Sequence, residues 1–195
     1  MATNTSLTNT PTRRLYHGSC HCGNISYAVY LTLPPVVSPD PPLNSTIRIY
    51  KCNCSTCTKM SLFHVRLIDA PSDFMLLSPL DLTAGGLKDY QCYIKNAHWF
   101  FCGTCGVRCF TIAGEGELKV VEIEGEKKQA WMLKREGWDE EHGMSYFSLN
   151  AATLEPDQEG FNLKEWTEKG WIAYCDSKDD VGEFRLGEPH NGGMY

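Results

Sequence analysis

The chain has 195 residues, 42% hydrophobic and 11% aromatic, enough to bury the core of one domain. Its net charge of −6 comes from interleaved acidic and basic residues with no basic stripe, so nucleic acid is not an expected partner. No stretch approaches ~18 consecutive apolar residues and no apolar leader follows Met1, so no membrane association is expected and the expected setting is the cytoplasm.

Residues 1–14, rich in Thr and Asn, read as a flexible arm ahead of a domain over 15–176 and a polar tail over 177–195. From Asn24 to Leu31 the apolar residues alternate (Ile25, Tyr27, Val29, Leu31), the period of a half-buried strand. Five prolines between Pro34 and Asn44 exclude a sheet ladder and predict an exposed loop. Strand character resumes at Ile47–Tyr50, and Cys52–Met60 reads as a metal-binding knuckle rather than a helix. Leu62–Ile68 and Phe74–Leu77 are strand candidates, and Ala84-Gly85-Gly86 is a turn. Tyr90–Ile94 and His98–Phe101 form an expected hairpin, and Val107–Ile112 leaves the Cys102–Gly106 turn as another strand. Leu118–Ile123 and Gln129–Lys134 form a charged, surface-exposed pair, followed by a short strand at Tyr146–Leu149. Asn162–Lys169, with Leu163 and Trp166 on one face, predicts a helix, and Trp171–Tyr174 a strand. The sum is a mainly β chain built around cysteine turns.

Seven of the ten cysteines fall into three clusters: Cys20-x-Cys22, Cys52-x-Cys54-x-x-Cys57 and Cys102-x-x-Cys105. Residues one or two apart are awkward disulfide partners, and in a reducing compartment clustered thiols read as metal ligands; a disulfide framework and an iron–sulfur cluster are the lesser alternatives. Four thiolates close a tetrahedral zinc site, whereas three leave a position open. Cys20/Cys22 with Cys102/Cys105 fit a closed site assembled from two turns. Cys52, Cys54 and Cys57 on one knuckle fit an open one, whose net negative charge favours thiol or carbonyl chemistry over hydrolysis. Spacing does not decide which clusters pair. If the second site is closed instead, Cys92, Cys109, Cys175, His64 and His98 are the candidate fourth ligands.

Gly18-Ser19-Cys20-His21-Cys22-Gly23-Asn24-Ile25-Ser26-Tyr27, Cys52-Asn53-Cys54-Ser55-Thr56-Cys57 and Phe101-Cys102-Gly103-Thr104-Cys105-Gly106 resemble the glutathione-dependent formaldehyde-activating enzyme family, which includes centromere protein V. The resemblance covers residues 15–110 and thins afterwards to Tyr146–Glu155. It implies an Mss4-like (β-tent) fold of antiparallel sheets around zinc-binding turns and two zinc ions per chain. The structural ion would sit at Cys20, Cys22, Cys102 and Cys105, and the catalytic one at Cys52, Cys54 and Cys57. It also implies a carbon–sulfur lyase of the S-hydroxymethylglutathione synthase type, with glutathione as co-substrate of formaldehyde. The chain departs from compact members by insertions near 34–44 and 115–145. They motivate a second reading, in which the same zinc site performs lyase, isomerase or dehydratase chemistry on a specialised metabolite. A third is a non-catalytic zinc module for protein interaction or chromatin association. A homo-oligomer is compatible with all three.

His64, just after the open knuckle, is a candidate acid/base, the bland alternative being a hydrogen-bonded strand histidine. Lys59 and Arg66 are candidate contacts for a substrate carboxylate. Trp99, Phe100 and Phe101 read as alternating core and surface aromatics; Cys92, Cys109 and Cys175 as small buried hydrophobes; the acidic run Trp138–His142 as a solvated loop; and His21 as pointing outward.

Overall fold

The computed structural model describes residues 10–38, 41–83, 85–178 and 182–190. Period-two alternation makes strands, and the chain is mainly β with three short helices among the described residues. In order come β1 (Thr12–Ser19), β2 (Ser26–Leu33), β3 (Arg48–Cys52), α1 (Ser55–Met60), β4 (His64–Arg66), α2 (Ala70–Asp73) and β5 (Phe74–Ser78). Then follow β6 (Leu87–Tyr90), β7 (His98–Cys102), β8 (Arg108–Ala113), β9 (Gly116–Ile123) and β10 (Glu126–Leu133). Last are β11 (Tyr146–Asn150), α3 (Leu163–Glu168), β12 (Ala173–Asp176) and β13 (Glu183–Leu186). No helix among the described residues is long and apolar enough to cross a membrane.

The strands form a five-stranded sheet, β1-β2-β5-β10-β9, and an eight-stranded sheet, β13-β12-β3-β4-β11-β8-β7-β6. Every pairing is antiparallel except β12 with β3. The sheets share one core. Tyr27, Val29, Phe74 and Leu76 of the smaller sheet belong to the same buried cluster as Ile49, Val65, Phe110 and Phe147 of the larger. Phe74 joins the two faces, its ring 4.5 Å from that of Phe147, 5.2 Å from Phe110 and 5.6 Å from Tyr27. Because side chains alternate along each strand, the other face of the larger sheet is left for chemistry.

Several expectations need correction. The 52–60 knuckle contains a helix, α1. Cys54 is its N-cap, the Cys54 sulfur accepting from the Cys57 amide at 3.4 Å, and Ser61 closes it in the left-handed region at φ 50°. Residues 1–9 of the expected arm lie outside the described residues, and Thr12–Arg14 already pair with Leu33–Leu31 in β1–β2. Of the 34–44 loop, residues 39 and 40 lie outside them, as do Ala84 of the expected turn and residues 179–181 and 191–195 of the tail. The first hairpin strand is Leu87–Tyr90, not Tyr90–Ile94. Tyr93 and Ile94 lie in the loop at 68% and 83% exposure, with Tyr93 at φ 53°, which no ladder accommodates. The last strand candidate shifts to Ala173–Asp176, leaving Trp171 outside, and the tail contributes β13. The charged hairpin is β9–β10, longer than expected and turned at Glu124-Gly125 (φ 54° and 81°). Its second strand joins β5, which completes the smaller sheet.

Gly18 is required by the core itself. It lies opposite Tyr27 in the β1–β2 register, and a Cβ there would meet Tyr27 Cζ at 2.2 Å. The ring has no room to yield, because its hydroxyl is bonded to Thr153 Oγ1 at 2.7 Å in the buried interior. Gly18→Ala is expected to cost about 3 kcal/mol, a fall of about 6–12 °C in thermal midpoint for a chain this size. An unchanged melting curve would show the ring to be displaceable.

Candidate metal centres

The first cysteine group is built where the two sheets meet. Cys20 and Cys22 leave the end of β1 in the smaller sheet, while Cys102 ends β7 and Cys105 precedes β8 in the larger. Their four ligand sulfurs all lie within 4.8 Å of one another. A tetrahedral zinc with bonds of ~2.3 Å needs sulfurs ~3.8 Å apart. The Cys20–Cys22 and Cys22–Cys102 separations, 3.6 and 3.5 Å, fit that requirement. Backbone amides aim at the sulfurs: Ile25 donates to Cys20 at 3.2 Å, and those of Val107 and Cys22 hold the Cys105 thiol down to about 6. The turn is shaped by Gly106 at φ 76°, whose amide reaches the Cys102 carbonyl at 2.8 Å.

The second group is Cys52, Cys54 and Cys57, also within 4.8 Å of one another. Cys52 ends β3, and capping by Cys54 places Cys57 one helical turn on, so all three sulfurs converge. Asn53, between two of them, is buried and ties the knuckle to the chain's end. Its side chain donates to Asp176 at 2.7 Å and accepts from the amides of Ser177 and Lys178 at 2.8 and 2.9 Å. The donor set suits zinc at both groups. Cys175 lies beside Cys52 in the β3–β12 register, and its thiol, followed by those of Cys54 and Cys57, favours Cys52 as the thiolate. His64 Nε2 is 3.2 Å from the Cys57 sulfur. Neither Cys175 nor His64 joins the set whose ligand atoms are all within 4.8 Å of one another. His98 is bonded to Asp89 at 2.7 Å, Cys92 lies 3.7 Å from Thr56 Oγ1, and buried Cys109 sits by the first group.

The sulfurs of the second group line a cavity of about 440 Å³. Its floor is the outer face of the larger sheet, and strand register dictates what is there. Tyr50 faces His64 across β3–β4, Arg48 faces Arg66, and Ser148 faces Thr111, which faces Trp99. The Tyr50 and His64 rings stack at 4.6 Å and 8°, with Trp99 edge-on to the imidazole at 6.2 Å. Tyr93 reaches in from its loop, its hydroxyl accepting from Thr56 at 3.0 Å. Phe184 of β13 stands edge-on to Tyr50 at 6.1 Å.

A hydrogen-bonded chain runs under this floor. Tyr50 and Tyr146 share a hydroxyl–hydroxyl bond, Tyr146 donates to Ser148 Oγ at 2.9 Å, and Ser148 meets His64 Nδ1 at 2.9 Å. With a metal holding Cys57 as a thiolate, which only accepts, Nε2 would carry the imidazole hydrogen and Nδ1 would accept from Ser148. Ser148 then accepts from Tyr146, and Tyr146 from Tyr50. Burial pushes His64 down to about 4, which leaves it neutral near pH 7 as this assignment requires. Burial also raises both phenols, Tyr50 well above its ordinary value, so they stay protonated donors.

Of the residues singled out beforehand, Cys52, Cys54, Cys57, His64, Arg66 and Cys175 line the cavity together. Lys59 does not. It is exposed on α1, outside the lining. Arg66 is already paired with buried Glu140 at 3.2 Å and lies over the Tyr146 ring at 5.1 Å. The acidic run is thus partly structural, with Asp139 and His142 paired at the surface as expected of a solvated loop. The aromatic run divides by alternation, Trp99 to the cavity and Phe100 to the core. Sequence reasoning missed Arg48, Tyr50, Tyr93, Tyr146, Ser148 and Phe184. Arg48 was legible as the i, i+2, i+4 partner of Tyr50 and Cys52, and Phe184 with Leu186 as a period-two pair in the tail.

No family model matches the chain. Among solved structures, the chain is similar to a Rhodobacter sphaeroides protein from a structural genomics programme at 18% identity and a TM-score of 0.42, over 82% of this chain and 99% of that one. A likeness at that level assigns no function.

Proposed function

We infer that the chain is a two-zinc enzyme that makes or breaks carbon–sulfur bonds. Cys20, Cys22, Cys102 and Cys105 would hold a structural ion. Cys52, Cys54 and Cys57 would hold a second, with a coordination position left for substrate. The observation that carries this reading is the convergence of three sulfurs on a 440 Å³ cavity without a fourth Cys or His atom in their mutual range among the described residues. Bound there, zinc supplies a soft Lewis acid that favours a thiolate or draws on a carbonyl oxygen. The matching reaction is addition of a thiol to an aldehyde and its reversal. A carbon–sulfur bond forms, the carbonyl π pair moves to oxygen, and the thiol's proton ends there as a hydroxyl. The family resemblance supplies a candidate pair, glutathione and formaldehyde, giving S-hydroxymethylglutathione.

The remaining work falls to the chain. His64, held by Ser148, donates to the Cys57 sulfur and fixes its direction, which makes it a positioning residue. Tyr50 stands at the head of the hydrogen-bonded chain and accepts no bond among the described residues, so its oxygen is available to a substrate S–H or O–H. Trp99, Tyr93 and Phe184 line the cavity beside the knuckle and offer aromatic faces to a bound substrate. The test is magnetisation exchange between free and thiol-bound formaldehyde, followed by NMR with zinc-loaded protein. Wild type is expected to accelerate the exchange and Cys54→Ser to leave it at the uncatalysed rate. Equal rates with and without wild-type protein, for glutathione and for other thiol–aldehyde pairs, would defeat the reading.

A further inference from the structure

The cavity over the three-sulfur knuckle shares Arg48, Tyr50 and Phe184 with a second cavity of about 250 Å³. Register explains the continuity. Cys52, Cys175 and Phe184 form one row across β3, β12 and β13, and Tyr50, Ala173 and Leu186 form the next. Side chains two apart on a strand share a face, so Cys52, Tyr50 and Arg48 run in line from the sulfurs to the second cavity, a span of ~13 Å. The far wall comes from the proline-rich insertion, with Val36 and Val37, and from Trp171. Ile47 and Leu186 add apolar surface beside the hydroxyl side chains of Ser38 and Thr46, and Arg48 is the one charged side chain of this lining among the described residues. Arg48 already donates to the Pro41 carbonyl at 2.7 Å.

The geometry points to a specificity subsite for an apolar substrate body. The substrate would be a thiol, or a thiol adduct of an aldehyde, whose sulfur lies at Cys52–Cys54–Cys57 and whose aryl or alkyl portion extends past Tyr50 and Phe184 into the second cavity. This deepens the reading of the knuckle as open and rests on it. Among the described residues, the second cavity offers glutathione's two carboxylates and ammonium only the Arg48 guanidinium as a charged partner.

Isothermal titration of zinc-loaded protein with three probes separates the two claims. Ethanethiol reports the knuckle alone, 6-phenylhexan-1-ol the subsite alone, and 6-phenylhexane-1-thiol both. Each buried methylene contributes about fourfold in affinity, so the long thiol is expected to bind about 100-fold or more tighter than ethanethiol. Leu186→Asp and Val37→Asp, neither of which touches the knuckle, are each expected to weaken the long thiol and the alcohol at least about tenfold. Ethanethiol should be unchanged in both. If neither thiol binds wild type but the alcohol binds and is lost in the variants, the open knuckle fails and the subsite stands. If the alcohol does not bind, or both variants leave the long thiol at wild-type affinity, the subsite is overturned. Measuring two variants guards against one that misfolds, which circular dichroism would reveal.

Discussion

Cys102→Ser protein is expected to be recovered unfolded and depleted of both metals, the largest effect of any single substitution in this chain. Cys102 is fully buried at the end of β7, and its sulfur lies 3.5 Å from that of Cys22, which follows β1 in the other sheet. A metal held by this group therefore ties the two sheets at one corner. Apparent binding free energy at a structural zinc site is about 10–16 kcal/mol, against about 5–15 kcal/mol for the net stability of a whole domain. A serine hydroxyl is a poor substitute for the thiolate, so the group loses its fourth soft ligand. Far-UV circular dichroism with metal analysis decides the matter. A folded variant that still holds one ion per chain would show that the core common to both sheets suffices without the tie. Chelation of the wild-type protein should reproduce the variant's behaviour.

Cys54→Ser should have the opposite profile. Its sulfur caps α1 by accepting from the Cys57 amide, and serine is itself a preferred N-cap, so the helix keeps its acceptor. The knuckle is also held by Asn53 through bonds to Asp176, Ser177 and Lys178 that do not involve Cys54. On the two-zinc proposal, metal content is therefore expected to fall from two ions per chain to one, with a thermal midpoint within a few degrees of wild type and thiol exchange left at the uncatalysed rate. Loss of both ions with global unfolding would contradict the division of labour between the groups.

The grouping of the seven cysteines was legible because spacings of one or two residues confine each cluster to a single turn. The β2 strand was legible for a similar reason, since Tyr27, Val29 and Leu31 alternate toward one core. Its neighbour β1 was not, because Arg13 and Arg14 look like a solvated arm. In the fold Arg13 lies 3.6 Å over the Tyr30 ring and pairs with Asp73 at 2.7 Å, contacts made only after β1, β2 and α2 have assembled. The knuckle's helix was hidden by its brevity and by a capping sulfur already assigned to metal. The cavity floor was the least legible part. Tyr50, Ser148, Thr111 and Trp99 belong to β3, β11, β8 and β7, and only strand register brings them onto one face. Lys59 was misplaced for the converse reason: nearness in sequence to Cys57 says nothing about which side of α1 meets the sheet.

The parallel pairing of β3 with β12 has a consequence during synthesis. Asn53 and Asp176, which bond across that junction, are 123 residues apart. At ribosomal rates of about 5–20 residues per second, the intervening chain takes roughly 6–25 s to emerge. Over that interval the edge of β3 that β12 will cover, with Cys52 at its end, has no strand to pair with. Three thiols then stand beside an unprotected ladder while the nascent chain is in the company of other unfolded chains. The nascent protein is thus most exposed to mispairing and oxidation at the very residues proposed to hold the second metal, and early capture of an ion there would shield them before the last strands arrive.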